Sequence, residues 1–146
     1  NYGHENPLGG PLVHLIVDGH GGDPAKLQDL DLISRFLDEY PAAIGMTKIV
    51  PPLVYTYHGK TPEDWGVSGF VLIAESHISI HTFPERGYVN IDVFSCREFD
   101  TGKALQEITH VFSLSWNIGI GFLCRFPIYF TDDRTEVSQC KTALCF

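Results

Sequence analysis

The sequence predicts an α+β fold, a two-layer α/β sandwich in which an antiparallel sheet carries helices on one face. Three observations predict it. Residues 78–82 and 88–95 alternate apolar and polar side chains on either side of a turn, Pro84-Glu85-Arg86-Gly87. Behind a capping Asp100, the apolar residues Ala104, Leu105, Ile108, Val111 and Phe112 share one helical face. Strands grouped before a helix, rather than strict strand–helix alternation, favour antiparallel pairing with helices on one side.

The elements follow in order. Leu12 to Asp18 reads as a strand, with Val13, Leu15 and Val17 on one face. Asp23-Pro24 offers an N-cap and a proline at the first helical position, and Leu27, Leu30, Ile33, Phe36 and Leu37 follow at helical spacing. Pro41 interrupts or restarts this helix, and Gly45 can end it. Lys48 to His58 looks extended, but Pro51-Pro52 exclude a regular central strand there. Residues 59–67 read as a polar loop. Gly69 to Ala74 is a short buried strand, Ile78 to Thr82 the next, and Tyr88 to Ser95 a third, with Gly87 able to take positive φ between the last two. From Leu114 to Phe130 every even position is apolar, which predicts extended structure folded into a hairpin near Gly119 or Gly121. The first ten residues and residues 131–146 receive no regular element.

Charge and composition narrow the function. Ten Lys+Arg against eighteen Asp+Glu give a formal charge of -8. That balance argues against a nucleic-acid-binding domain and against a binder of anionic membranes. With 44% hydrophobic and 19% charged residues, the chain is globular, and its length suits one domain spanning residues 1–146. No basic segment followed by an apolar one marks a signal peptide, and no apolar run approaches the length of a membrane span. Cys96, Cys124, Cys140 and Cys145 form no C-x-x-C pair and no zinc spacing, so free thiols in a cytoplasmic protein are the simplest reading.

Strand parity locates the candidate chemistry. Ile78 and Ile80 point one way, whereas His77, Ser79, His81 and Phe83 point the other. Val89, Ile91 and Val93 are opposed in the same way to Asn90, Asp92 and Phe94, and Cys96 has the parity of the latter. With the apolar sides against the helices, His81 and Cys96 share the open surface of the sheet. A lone strand histidine is usually structural or solvated, and a lone cysteine is usually a small core hydrophobe. His77 and His81, taken with His14, have a nonspecific spacing, and no metal ligand set is assigned. No nucleophile elbow, phosphate loop or dinucleotide fingerprint is present.

One stretch is far more specific. Gly66-Val67-Ser68-Gly69, the run Ala74-Glu75-Ser76-His77-Ile78-Ser79-Ile80-His81-Thr82-Phe83-Pro84-Glu85, Tyr88 and Ile91-Asp92-Val93-Phe94-Ser95-Cys96 together resemble the prokaryotic S-adenosylmethionine decarboxylase proenzymes. The likeness is dense over residues 66–96, recognisable from about residue 12, and fades after about Ser113. It implies self-cleavage at Glu75-Ser76 into residues 1–75 and 76–146. The Ser76 hydroxyl would attack the Glu75 carbonyl, and elimination of the resulting ester would leave a pyruvoyl group derived from Ser76. Ser68 matches the position that steadies the oxygen charge during processing, and His81 matches the proton acceptor.

The resemblance also implies the later chemistry. The covalent pyruvoyl cofactor would form a Schiff base with the α-amine of S-adenosylmethionine and act as the electron sink for decarboxylation, feeding polyamine synthesis. Cys96 matches the proton donor, since a thiol holds its proton at neutral pH and can still release it. Phe83 matches an aromatic that holds the adenine, and Glu85 a carboxylate that binds the ribose hydroxyls. No residue of the loop from Gly59 to Gly66 is assigned to the second aromatic of the family. A homodimer of cleaved protomers is implied, with sites near the subunit interface, and no metal. Two other readings stand beside this one: a pyruvoyl-dependent ornithine or arginine decarboxylase of the same fold, and a non-catalytic regulatory relative, to which the aromatic, Cys-bearing end from Trp116 to Phe146 points.

Overall fold

The computed structural model describes residues 12–123 and 126–131. Strand β1 (Val13–His20) is followed by helices α1 (Pro24–Leu27) and α2 (Leu30–Ala43). Strands β2 (Leu53–His58), β3 (Trp65–Ile73), β4 (Ser76–Phe83) and β5 (Tyr88–Ser95) come next, with a single 3-10 turn at Pro84–Arg86 between the last two. Helix α3 (Thr101–Phe112) and strands β6 (Trp116–Leu123) and β7 (Phe126–Thr131) complete the described chain. The strands form one sheet in the order β2-β3-β4-β5-β1-β6-β7, and every neighbouring pair is antiparallel. The α+β expectation holds.

Alternation decides which face is covered. Along β1 and β5 every second residue is buried. Leu15, Val17, Val71, Ile78, Ile80, Ile91 and Val93 meet Ile33, Leu37, Ile108 and Phe112 of the helices in one core. Each such aliphatic side chain contributes roughly 1.5–3 kcal/mol on burial. The other face carries Tyr55, Phe70, Leu72, Trp116 and Ile118, all exposed. Among the described residues, helices therefore cover only one side of the sheet.

Several local expectations need correction. The first helix is two helices, because Asp29 acts as a second N-cap and its side chain accepts from the Asp31 and Leu32 amides. Leu30 is consequently 42% exposed and outside the core. Pro41 neither interrupts nor restarts α2. It lies in the last turn, where few further helical bonds depend on its missing N–H. Gly45 follows the helix with φ +77°, as a terminating glycine should. The loop read at residues 59–67 is shorter, since β3 starts at Trp65. Pro51-Pro52 precede β2, which forms the sheet edge.

The last hairpin does not fold at Gly119 or Gly121. Both lie inside β6, and Leu123 is the residue that pairs with Phe126. Gly119 serves packing instead: a Cβ there would stand 2.9 Å from a Leu105 methyl of α3. Residues 1–10, Cys124, Cys140, Cys145 and all of the 131–146 tail beyond Thr131 lie outside the described residues.

Candidate active site

The Glu75-Ser76 bond sits where β3 turns into β4. Ile73 pairs with Ser76, leaving Ala74 and Glu75 as the turn. Several contacts tie this turn down. The Ala74 amide donates to the Thr47 carbonyl at 2.8 Å, and the Cys96 amide donates to the Glu75 carbonyl at 3.0 Å. The Glu75 side chain is only 8% exposed. One of its carboxylate oxygens accepts from the Thr47 amide at 3.0 Å, and the other lies 3.6 Å from an Arg97 guanidinium nitrogen. That guanidinium also donates to the Gly45 carbonyl at 3.1 Å. Ser95 shapes the chain around Cys96, accepting from the Arg97 amide and donating to the Arg97 carbonyl.

Ser76 has the parity of the helix-covered face but does not follow it. Its φ of 156° is one that side-chain-bearing residues seldom adopt. Its hydroxyl lies 3.2 Å from Nδ1 of His77, a residue of the open face. The Nε2 atom of His77 faces Asp92 Oδ1 at 3.6 Å, and Asp92 Oδ2 is bound by His14 Nε2 at 2.8 Å. Cys96 is a free, half-buried thiol one residue beyond Ser95, the β5 partner of Ser76.

The remaining site residues lie at the other end of β4. Ser68 and His81 are register partners, with the hydroxyl 2.9 Å from His81 Nδ1. The Phe83 ring packs on Tyr88 and lies beneath the Arg86 guanidinium. Glu85 accepts from the Trp65 indole at 3.3 Å, and Trp65 stacks with His58. Along β4, Ser76 stands five steps from His81 and seven from Phe83, or about 16 Å and about 23 Å at the rise of a strand. Between the two ends, the open face holds a depression of ≈ 410 Å³ lined by Phe70, Leu72, His77 and His81 among others. Tyr88 donates to Asp18 of β1 at 2.6 Å; burial first, then that carboxylate, push its phenol up to about 12, so it remains a neutral donor.

The structure thus brings together Glu75, Ser76 and the Cys96 backbone, and separately Ser68 with His81. It sets Phe83 and Glu85 beside the second pair. His14 and His77 converge on Asp92 whereas His81 does not join them, and among the described residues no three metal-ligating side chains are arranged to hold an ion. Trp65, Arg97 and the Cys96 amide escaped sequence reasoning. Trp65 had a detectable signal, an aromatic within the loop where one was sought; the other two depend on how the turn folds.

A serine in an unusual backbone conformation, its hydroxyl beside an imidazole and the preceding carbonyl bound by a neighbouring amide, makes this turn of the half-covered α/β sandwich the candidate reactive centre. Comparison with known proteins makes this specific. The family model described as S-adenosylmethionine decarboxylase matches residues 13–117. An S-adenosylmethionine decarboxylase proenzyme of Geobacillus kaustophilus is 42% identical over 67% of this chain and 74% of its own length. One from Pyrococcus abyssi is 36% identical over 70% of each chain. The crystal structure of the adenosylmethionine decarboxylase from Aquifex aeolicus shares the fold, with a TM-score of 0.65 over 87% of this chain and 98% of that one, at 23% identity. The chain belongs to the S-adenosylmethionine decarboxylase family.

Proposed function

We propose that this protein is a self-cleaving, pyruvoyl-dependent decarboxylase of S-adenosyl-L-methionine, releasing carbon dioxide and supplying the aminopropyl donor for polyamine synthesis. The observation that carries the reading is the Glu75-Ser76 turn, with its carbonyl bound by the Cys96 amide and its serine beside an imidazole. The amide is placed to stabilise charge on the Glu75 oxygen as the Ser76 hydroxyl attacks. The anchors at Thr47 and Arg97 hold the Glu75 side chain while its peptide bond changes. These residues fit the conversion of Ser76 into a pyruvoyl group. That group supplies a ketone for the substrate amine and a sink for the electrons left as carbon dioxide departs. Cys96 returns a proton to the substrate α-carbon. An unpaired thiol suits a cytoplasmic location.

One protomer does not suffice for this chemistry. Phe83, which takes the adenosine together with Glu85, stands about 23 Å along the strand from position 76, and His81 of the Ser68–His81 pair about 16 Å. A two-fold homodimer formed across the open face would carry these groups from one copy to the Ser76 end of the other. The exposed Tyr55, Phe70, Leu72 and Trp116 of that face supply apolar surface for such a contact. In this arrangement His81 of the second copy is the proton acceptor in processing, steadied by Ser68.

Denaturing mass measurement tests the reading. The purified 16.3 kDa chain is expected to convert into two pieces divided at 75/76, and Ser76→Ala is expected to stay whole and inactive. Cleaved protein should release carbon dioxide from S-adenosylmethionine. Release from ornithine or arginine instead would favour another decarboxylase of this fold, and no release from any of them would favour a regulatory relative.

A further inference from the structure

We propose that His77, oriented by Asp92 and His14, accepts the Ser76 hydroxyl proton within the same protomer when the chain cuts itself; this rests on the self-cleavage reading above. Self-cleavage removes two different protons from Ser76: the hydroxyl proton in the acyl shift and the α-proton in the elimination that follows. The acceptor of the first must lie within hydrogen-bond reach of Oγ. His77 Nδ1 does, at 3.2 Å. His81 does not within one protomer, since it is five strand steps away and bound to Ser68.

The surroundings of His77 are those of an oriented base. Asp92 Oδ1 is buried and accepts no hydrogen bond among the described residues, yet it faces His77 Nε2 at 3.6 Å. Such an oxygen is explained when Nε2 carries the imidazole proton and turns it towards Asp92. Nδ1 is then left with the lone pair that Ser76 needs. His14 binds the other oxygen of Asp92 at 2.8 Å and fixes the carboxylate. Phe94 packs against both rings, at 5.1 Å from His14 and 5.8 Å from His77. Nucleophile, base and orienting carboxylate stand in the order of a serine–histidine–aspartate relay, with the two ring nitrogens exchanged.

The step balances without a co-reactant. The Ser76 hydroxyl proton passes to His77 Nδ1 as Oγ bonds to the Glu75 carbonyl carbon. The bond from that carbon to the Ser76 nitrogen then breaks, and the nitrogen takes the proton back from the imidazolium. An ester and a free amine result. The Ser68–His81 pair of a second copy remains for the α-proton.

The test follows freshly purified precursor to its two chains by denaturing mass measurement. His77→Ala is expected to cut about 100-fold more slowly or worse. The uncut chain should resist hydroxylamine, which cleaves esters and not peptide bonds, and imidazole added to the buffer should restore part of the rate. Asp92→Asn is expected to slow cleavage about 10-fold or more, and to add nothing in a His77→Ala background, as members of one unit do. Cleavage of His77→Ala at the wild-type rate, its arrest as a hydroxylamine-sensitive ester, or the absence of any imidazole effect on a folded variant would overturn the proposal. Should His77→Ala lose its fold, Asp92→Asn carries the test, and unchanged cleavage counts against His77. A wild-type chain that never cuts itself would instead overturn the underlying reading.

Discussion

At its first residue β4 carries Ser76, whose hydroxyl and neighbouring carbonyl both find partners inside one protomer. At its last residue it carries Phe83, with Glu85, Trp65 and the Ser68–His81 pair grouped about the open surface. The first end is tied by hydrogen bonds from β5 and from the chain around Thr47. The second relies on side chains of β3, β4 and the Pro84–Arg86 turn. On the proposed reading, the contrast sets bond making within one chain and substrate binding across two copies. A single strand separates the two tasks by more than the reach of its own side chains.

Substitutions at each end should part these tasks. The largest effect is that of Ser76→Ala, which removes the nucleophile and abolishes both cleavage and turnover. Gly66→Ala comes next. A Cβ there would run into the Thr82 carbonyl oxygen, so β3 and β4 must separate beside Phe83. Thermal unfolding should register a loss of about 3 kcal/mol, and turnover should fall further than cleavage does. Glu85→Ala is milder: mass measurement should find normal cleavage, while KM for S-adenosylmethionine rises about 10- to 100-fold, the worth of a charge-assisted hydrogen bond. Equal damage to cleavage and to KM would erase the distinction between the ends.

The strands and caps of this fold were legible because each rests on local chemistry. Tyr88–Ser95 alternates without a break, Asp100 caps α3, and Gly87 takes φ +56°. The split at Asp29 was missed because a second capping aspartate inside an apolar helical pattern reads as an ordinary polar residue. The apolar stripe of β6 declares extended structure but not which face it occupies: Trp116 and Ile118 are exposed, whereas Asn117 is buried on Thr109. In the site, parity put His81 and Cys96 on the open face, whereas Ser76 and the role of each residue came from a resemblance. The His14–Asp92–His77 grouping depends on β1 lying beside β5, which only the strand order reveals. Parity also misplaces Ser76, because its positive φ turns the hydroxyl away from the face that alternation assigns.

Complementation tests the shared site most directly. Cys96→Ala disables the Ser76 end and Glu85→Ala the Phe83 end, so each alone should decarboxylate poorly at low substrate. In a two-fold dimer of randomly mixed subunits, half of the molecules carry one variant of each kind and one site with both ends intact, so co-expression should restore about a quarter of wild-type activity. That recovery is the result expected of sites built from two copies. Activity no greater than the sum of the separate variants would contradict it, and would place the whole site within a single protomer.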